Sequence, residues 1–167
     1  MTLNINKSSP PNFELSITKI PTKNMEQTKS VLLQIYSTVI PGIDVPAIDT
    51  PFMGRRIRRD STVMDYQDWN VSFFVDADFG NWKVLHDWMV YMCDTDILPS
   101  SHNINGILSL KNDFGIEVMK LHFTDVWLKN LGEVTLNYQS GEEFLQGTAT
   151  FDYGKFDIYM PGDIMER

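Results

Sequence analysis

The sequence holds a single cysteine, Cys93, among its 167 residues. One thiol can form neither a disulfide within the chain nor a cysteine-based zinc site, so a hydrophobic core must hold the fold, and a cytosolic folding compartment is expected. Long apolar runs are also missing. None approaches the ~20 residues of a membrane-spanning helix, and polar residues 1–11 lack the apolar stretch of a signal peptide. The sequence therefore predicts neither a secreted nor a membrane protein.

A surplus of basic charge is absent as well. The chain has 14 Lys and Arg against 22 Asp and Glu, a net charge of −8. A protein that grips DNA needs a basic surface to displace counterions from the phosphates, so the composition argues against DNA binding and against docking on an anionic membrane. The acidic balance fits a surface that repels nucleic acid, and it fits plain solubility equally well.

Few groups of residues could form a catalytic, cofactor or metal site. The three histidines, His86, His102 and His122, have no metal-ligand spacing and are expected to be structural. Cys93 is expected to be a small buried hydrophobe at the end of a helix. Two acidic pairs, Asp76 with Asp78 and Asp94 with Asp96, could hold a hard cation, but turn and capping roles explain them as well. The sequence predicts no catalytic, cofactor or metal site, and so a non-enzymatic protein.

What the sequence does contain is a recurrent strand pattern. Residues 13–18 and 69–75 alternate apolar and polar side chains, the signature of half-buried strands. Further strands are predicted at 31–39, 52–59, 107–110, 115–123, 133–138 and 144–153. Without βαβ alternation, this favours a mainly β fold: an antiparallel β-sandwich or small barrel with one flanking α-helix.

The predicted helix spans Asn81 to Cys93 and has an apolar stripe, formed by Trp82, Leu85, Met89 and Met92. Asp78 or Asn81 could cap its start. The four tryptophans are expected to pack the sheet against this helix. The domain is predicted to cover residues 13–153, with an N-terminal arm at 1–12 and a C-terminal extension at 154–167.

Residues 43–51 follow Pro41-Gly42 and contain two further prolines, which excludes an ordinary central strand and predicts a long projecting loop or an extended edge. A dense basic run follows at residues 55–59. It can be a nucleic-acid patch or, in the favoured interpretation, a set of carboxylate partners on another subunit. The predicted inter-ring or inter-subunit contact residues are Ile43, Asp44, Val45, Ile48, Asp49, Phe52, Met53, Arg55, Arg56, Arg58 and Arg59.

Two segments resemble the tail tube proteins of contractile-tailed bacteriophages. The first joins Pro51-Phe52-Met53-Gly54-Arg55-Arg56-Ile57 to the strand at 65–71 and a helix containing Asp87-Trp88, similar to the family's "FMxRxI", "DDWTVTV" and "DW" elements. The second joins Asn130-Leu131-Gly132-Glu133-Val134-Thr135-Leu136 to Phe144, Thr148 and Phe151-Asp152-Tyr153, similar to its closing "NVGEVxLDW…FxVTxxxDYW" hairpin. Together they span most of residues 51–153.

The resemblance implies homohexameric rings whose strands join into a continuous inner β-barrel. The rings stack into an acidic conduit through which DNA is ejected without specific binding. It implies a virion tail location, assembly in the host cytoplasm, and sheath, baseplate and tail terminator proteins as partners.

Departures from the family pattern leave other roles open. The chain extends beyond the family's usual ends and has Gly154-Lys155 where the family closes in an aromatic residue. A tube-initiating or tail-terminating relative, or an effector-carrying ring of the type VI secretion kind, would share the fold. A ligand-binding β-sandwich is the alternative from another class.

Overall fold

The structure is a computed structural model, and it describes residues 12–20, 29–33, 35–94, 104–136 and 144–161. Within these residues one α-helix accompanies thirteen strands, all of which pair antiparallel. The strands are β1 (Asn12–Ile20), β2 (Lys29–Leu33), β3 (Ile35–Thr38), β4 (Ile43–Asp44), β5 (Ala47–Phe52), β6 (Arg55–Asp60), β7 (Asp65–Tyr66), β8 (Trp69–Phe74), β9 (Asn105–Lys111), β10 (Glu117–Thr124), β11 (Trp127–Leu131), β12 (Gln146–Asp152) and β13 (Lys155–Tyr159). The helix, α1, spans Gly80–Met92.

Two larger sheets enclose the core. The five-stranded sheet has the order β13-β10-β9-β1-β2, and the four-stranded sheet has the order β11-β12-β8-β3. A long bent ribbon connects them: β10 continues into β11 at Asp125-Val126, and β12 continues into β13 at Tyr153-Gly154. At the bend Asp125 adopts a positive φ of 55°, and the Gly154 N–H donates to the Thr124 carbonyl over 3.0 Å. The mainly β, antiparallel fold with one flanking helix is confirmed.

The core lies between the sheets and is rich in aromatic rings. Trp69 of β8 stacks on Phe123 of β10, with ring centroids 4.0 Å apart, and neither side chain is exposed. Gly106 lies beneath this pair, where a Cβ would come within 3.3 Å of the Trp69 ring. The indole Nε1–H of Trp69 donates to the Thr38 hydroxyl over 3.0 Å, so the one polar group of this large side chain is satisfied.

The helix packs against the core with a face different from the predicted stripe. Asn81, Leu85, Trp88 and Tyr91 are buried, whereas three of the four predicted stripe residues are only half-buried. Asn81 explains the rotation, because its amide donates to the Phe74 carbonyl and accepts from the Asp76 N–H, which fixes the first turn on β8. The N-cap is Phe79, with a positive φ of 56°, so the predicted capping by Asp78 or Asn81 is wrong, although Asp78 accepts from the Gly80 N–H.

Four other expectations need correction. The strand predicted at 52–59 begins only at Arg55, because Phe52 belongs to β5 and Met53 and Gly54 form a turn. The strand predicted at 31–39 is divided, since β2 belongs to the five-stranded sheet and β3 to the four-stranded one. The strand predicted at 133–138 lies earlier: the chain leaves the ladder after β11, residues 132–136 are not a strand, and residues 137 and 138 lie outside the described part. Cys93 is exposed rather than buried, because it lies at the C-cap, beyond the buried face of α1.

Residues 155–159, at the start of the predicted C-terminal extension, form the edge strand β13 and pair with β10. The predicted domain limits otherwise stay a prediction, because residues 1–11 and 162–167 lie outside the described part.

Candidate assembly surface: a projecting hairpin

Residues 43–66 form a two-stranded projection between β3 and β8. Near the body of the protein, Ile43 pairs with Tyr66 and Asp44 with Asp65. Gln67 ties down the base, as its N–H donates to the Gly42 carbonyl and its side-chain amide donates to Asp44. Beyond this base, β5 and β6 pair in unbroken register from Ala47–Asp60 to Phe52–Arg55. The proline-rich segment is thus half of a projecting hairpin, as the loop-or-edge prediction allowed.

The tip of the hairpin is a two-residue turn. Met53 and Gly54 both have positive φ, 46° and 77°, the signature of the type I′ turn whose twist matches that of the flanking strands. Glycine accepts this conformation freely, whereas methionine does not. Met53 nevertheless presents an apolar side chain that is 89% exposed at the most distant point of the projection.

The register divides the hairpin into two faces. The apolar face consists of Ile48, Thr50 and Phe52 from β5 with Arg55, Ile57 and Arg59 from β6. The charged face consists of Ala47, Asp49 and Pro51 with Arg56, Arg58 and Asp60. On the charged face Arg58 forms an ion pair with Asp49, with an N···O separation of 3.5 Å. On the apolar face Ile48 and Phe52 are 52% and 57% exposed.

Every residue of β5 and β6 is exposed, and a two-stranded hairpin on its own is only marginally stable in water. The hairpin between residues 47 and 60 carries four arginines and two aspartates, a local charge of +2 in a chain of net charge −8. An exposed, partly apolar and basic arm on an acidic protein has the composition of a contact surface for an acidic partner. The structure brings all eleven predicted contact residues together in this one projection; whether they contact another subunit stays a prediction.

The other sequence candidates are dispersed. His86 is exposed and stacks on Trp82, with centroids 5.5 Å apart, and lies 3.4 Å from the Asp87 carboxylate. The hydrogen bond from the Lys83 ammonium, with a smaller contribution from His86, lowers the pKa of Asp87. His122 packs edge-on against Tyr159, and His102 lies outside the described residues. Within the described ranges, no three His, Cys, Asp or Glu side chains converge as metal ligands, and no helix is long and apolar enough to cross a membrane.

The structure also shows an exposed apolar group that was not predicted from the sequence. Phe114 and Ile116, in the turn between β9 and β10, are 87% and 63% exposed. This turn lies at the end of the five-stranded sheet away from the Trp69–Phe123 stack, and therefore away from the hairpin. The sequence does indicate this group, because two large apolar residues lie in a segment, Asn112 to Ile116, whose other residues are typical of a turn.

Compared with known proteins, the chain is 28% identical over 169 aligned residues to the tail tube terminator protein of enterobacteria phage T4, across 96% of this chain and 93% of that protein. No family model matches the sequence. The fold is similar to that of a chain in the sheath–tube complex of the PVC extracellular contractile injection system in its extended state (TM-score 0.66, 13% identity, 95% of both chains). It is equally similar to a chain in the PVC sheath/tube terminator structure (TM-score 0.65, 13% identity, 95% of this chain and 99% of that one).

The sequence and fold likenesses together support the tail tube family of contractile injection systems. This agrees with the resemblance carried by residues 51–153. The general function that follows is that of a structural component of a contractile tail. The solved structures, at such low identity, establish the shared fold alone.

Proposed function

We propose that this chain is a tail tube terminator: a non-enzymatic structural protein that forms a ring and closes the growing tube of a contractile phage tail. One observation carries the proposal, the 28% identity to a tube terminator over 96% of the chain. An alignment of that extent spans the hairpin, both sheets and the helix.

The hairpin supplies a surface for contact with the tube. Its apolar face offers Ile48, Phe52 and Ile57 to a desolvated contact, and Arg55 and Arg59 on the same face can pair with carboxylates. Arg58 has its own partner in Asp49 on the other face. The eleven predicted contact residues are accordingly proposed as the tube-facing or neighbour-facing surface, and the apolar face as the part that contributes most to binding.

The other binding partners are proposed in the same way, from the likeness to a terminator. A terminator at the end of the tube would meet the last ring of tube subunits, further copies of itself and the end of the sheath, all in the virion tail. DNA would pass through the ring. We propose no cofactor and no catalytic step.

Negative-stain electron microscopy of the purified protein over a range of concentrations, alone and with preformed contractile-tail tubes, tests the role. A terminator forms single six-fold rings that do not stack as concentration rises, and it decorates one end of a tube. Hollow tubes that lengthen with concentration would instead identify a major tube subunit, and cargo retained in the lumen would identify an effector-carrying ring. Monomers at every concentration, with no binding to tube ends, would refute all three roles and favour the ligand-binding sandwich.

A further inference from the structure

The direction in which the hairpin points depends on its base. Every residue of β5 and β6 is exposed, so no side chain of these two strands is buried against the body of the protein. A two-stranded hairpin is also only marginally stable by itself. The orientation of the contact surface must therefore be fixed where β4 pairs with β7, at the point where the hairpin leaves the body.

Gln67 fastens this base with three of its groups. Its N–H donates to the Gly42 carbonyl over 3.1 Å, and its side-chain amide donates to the Asp44 carboxylate over 2.7 Å. Its carbonyl accepts a hydrogen bond from the Tyr153 hydroxyl over 2.9 Å. The segments that enter and leave the hairpin are thus tied to each other, and both are tied to the bend between β12 and β13.

Tyr153 is a firm support for the base because it belongs to the core. It is 5% exposed, and its ring centroid lies 5.0 Å from that of Phe123 and 5.9 Å from that of Phe156. Burial raises the pKa of Tyr153 to about 12, so at neutral pH its hydroxyl is protonated and can donate. Tyr66 of β7 packs on the same group, 5.8 Å from Tyr153 and 5.6 Å from Phe156 between centroids. The base of the hairpin therefore rests on the bend that joins the two sheets.

The connection between the base and the outer strands is closed as well. Strand pairing is interrupted there, since residues 45–46 on one side face residues 61–64 on the other. The Ser61 N–H donates to the Pro46 carbonyl over 3.2 Å, and the Val63 N–H donates to the Ser61 hydroxyl over 3.0 Å. These bonds carry the orientation of the base across the interruption into β5 and β6.

A surface that is already oriented binds more tightly, because less freedom is lost when the partner arrives. We propose that Tyr153 and Gln67 are positioning residues, which set the direction of the hairpin before it meets the tube. Neither is among the predicted contact residues, so tube binding would depend on two side chains outside the contact surface. This inference rests on the proposed contact between the hairpin and the tube.

Two substitutions loosen the base without removing a contact residue. Tyr153→Phe keeps the ring in the core and removes the hydroxyl that bonds the Gln67 carbonyl. Gln67→Glu keeps the length of the side chain and places a carboxylate against that of Asp44, so an attraction becomes a repulsion.

Two further substitutions are the controls. Tyr36→Phe also removes a tyrosine hydroxyl, one that bonds the Gln146 side chain over 2.9 Å on the four-stranded sheet. Gly147→Ala destabilises the core, because its Cβ would lie 2.8 Å from the Phe73 ring. Gly147 pairs with Phe73 near the end of β8 away from the hairpin, so this variant shows what a loss of stability does by itself.

Distances between two spin labels test the direction of the hairpin. In a Cys93→Ser background, nitroxides are attached at Met53→Cys, in the tip, and at Asn105→Cys, exposed in β9. Labelled protein is diluted with unlabelled protein, and the distances are measured by double electron–electron resonance. We expect one narrow distribution in the parent and in both controls, and a broadened or displaced one in both base variants. A broad distribution in the parent, the parental distribution in both base variants, or equal broadening in Gly147→Ala would overturn the inference.

Binding to tube ends tests the consequence. The same four substitutions, without labels, are compared by counting decorated tube ends in electron micrographs over a concentration series. We expect the base variants to bind about two- to tenfold more weakly, the equivalent of one hydrogen bond, and both controls to bind as the parent does. Parental affinity in a variant with a broadened distribution would overturn the positioning role. A parent that binds no tube ends would instead refute the proposed function, and the distance distributions would still decide whether the base sets the direction of the hairpin.

Discussion

The substitution Thr38→Val tests how the edge strand β3 is fastened to the core. The Thr38 hydroxyl accepts the indole N–H of Trp69, a side chain with no exposed surface, and donates to the Asn70 carbonyl over 3.3 Å. Valine keeps the shape of threonine and removes the acceptor, so the indole N–H stays buried without a partner. An orphaned buried donor costs about 1–3 kcal/mol. At the middle of that range, the melting temperature of a protein of this size falls by about 4–8 °C.

Thr18→Val is the matched control. The Thr18 hydroxyl also bridges two strands, donating to the Asn105 carbonyl over 3.1 Å, but this bond is exposed and water can replace it. We expect a loss of at most ~0.5 kcal/mol, as for most surface substitutions. Urea denaturation of both variants, with unchanged slopes, measures the difference in free energy of unfolding. If the two variants are equally stable, the buried indole bond does not anchor β3 and the reasoning fails.

The other predictions concern the pH response, the core and the hairpin. Burial raises the pKa of Tyr153 from 10.0 to about 12. Because the unfolded chain ionises first, the free energy of unfolding should fall as the pH rises from 10 to 12. Urea midpoints across that range should show this decline, and it should be flatter in Tyr153→Phe. Gly147→Ala should cost about 1–3 kcal/mol in the same assay, because its Cβ would lie 2.8 Å from the buried Phe73 ring; an unchanged midpoint would contradict this packing. Arg55→Glu should abolish binding to tube ends in electron micrographs while leaving the melting temperature unchanged, whereas Arg58→Glu, on the opposite face, should retain most of that binding.

The sequence pattern predicts the regular interior of the molecule well. The strand at 69–75 and the helix at 81–93 are confirmed within one residue at each end. Both have a buried face of large side chains at the period of their backbone, so the hydrophobic pattern carries the information. The orientation of the hairpin arginines also follows from strand alternation alone, since Arg56 and Arg58 share one face and Arg55 and Arg59 the other.

The errors occur where tertiary contacts outweigh local periodicity. The apolar stripe of the helix gives no sign that Asn81 is buried by bonds to the end of β8, and those bonds rotate the buried face. A continuous β-rich run, 31–39, cannot reveal that it passes from one sheet to the other. The strand predicted at 133–138 alternates correctly, but the pairing with β12 is already formed by residues 127–131.

The position of the chain within the tail is difficult to predict for a different reason. A tube subunit and a terminator need the same two sheets and the same ring closure, so the buried residues that dominate a sequence pattern are common to both. In the proposed ring, the difference would lie on exposed surfaces at the two ends of the subunit: the hairpin at one end and the turn bearing Phe114 and Ile116 at the other. Because these residues are exposed, no core periodicity constrains them, and a single sequence cannot tell whether such a surface accepts another ring. Because the alignment with the terminator protein spans both of these surfaces, the proposed role follows that likeness.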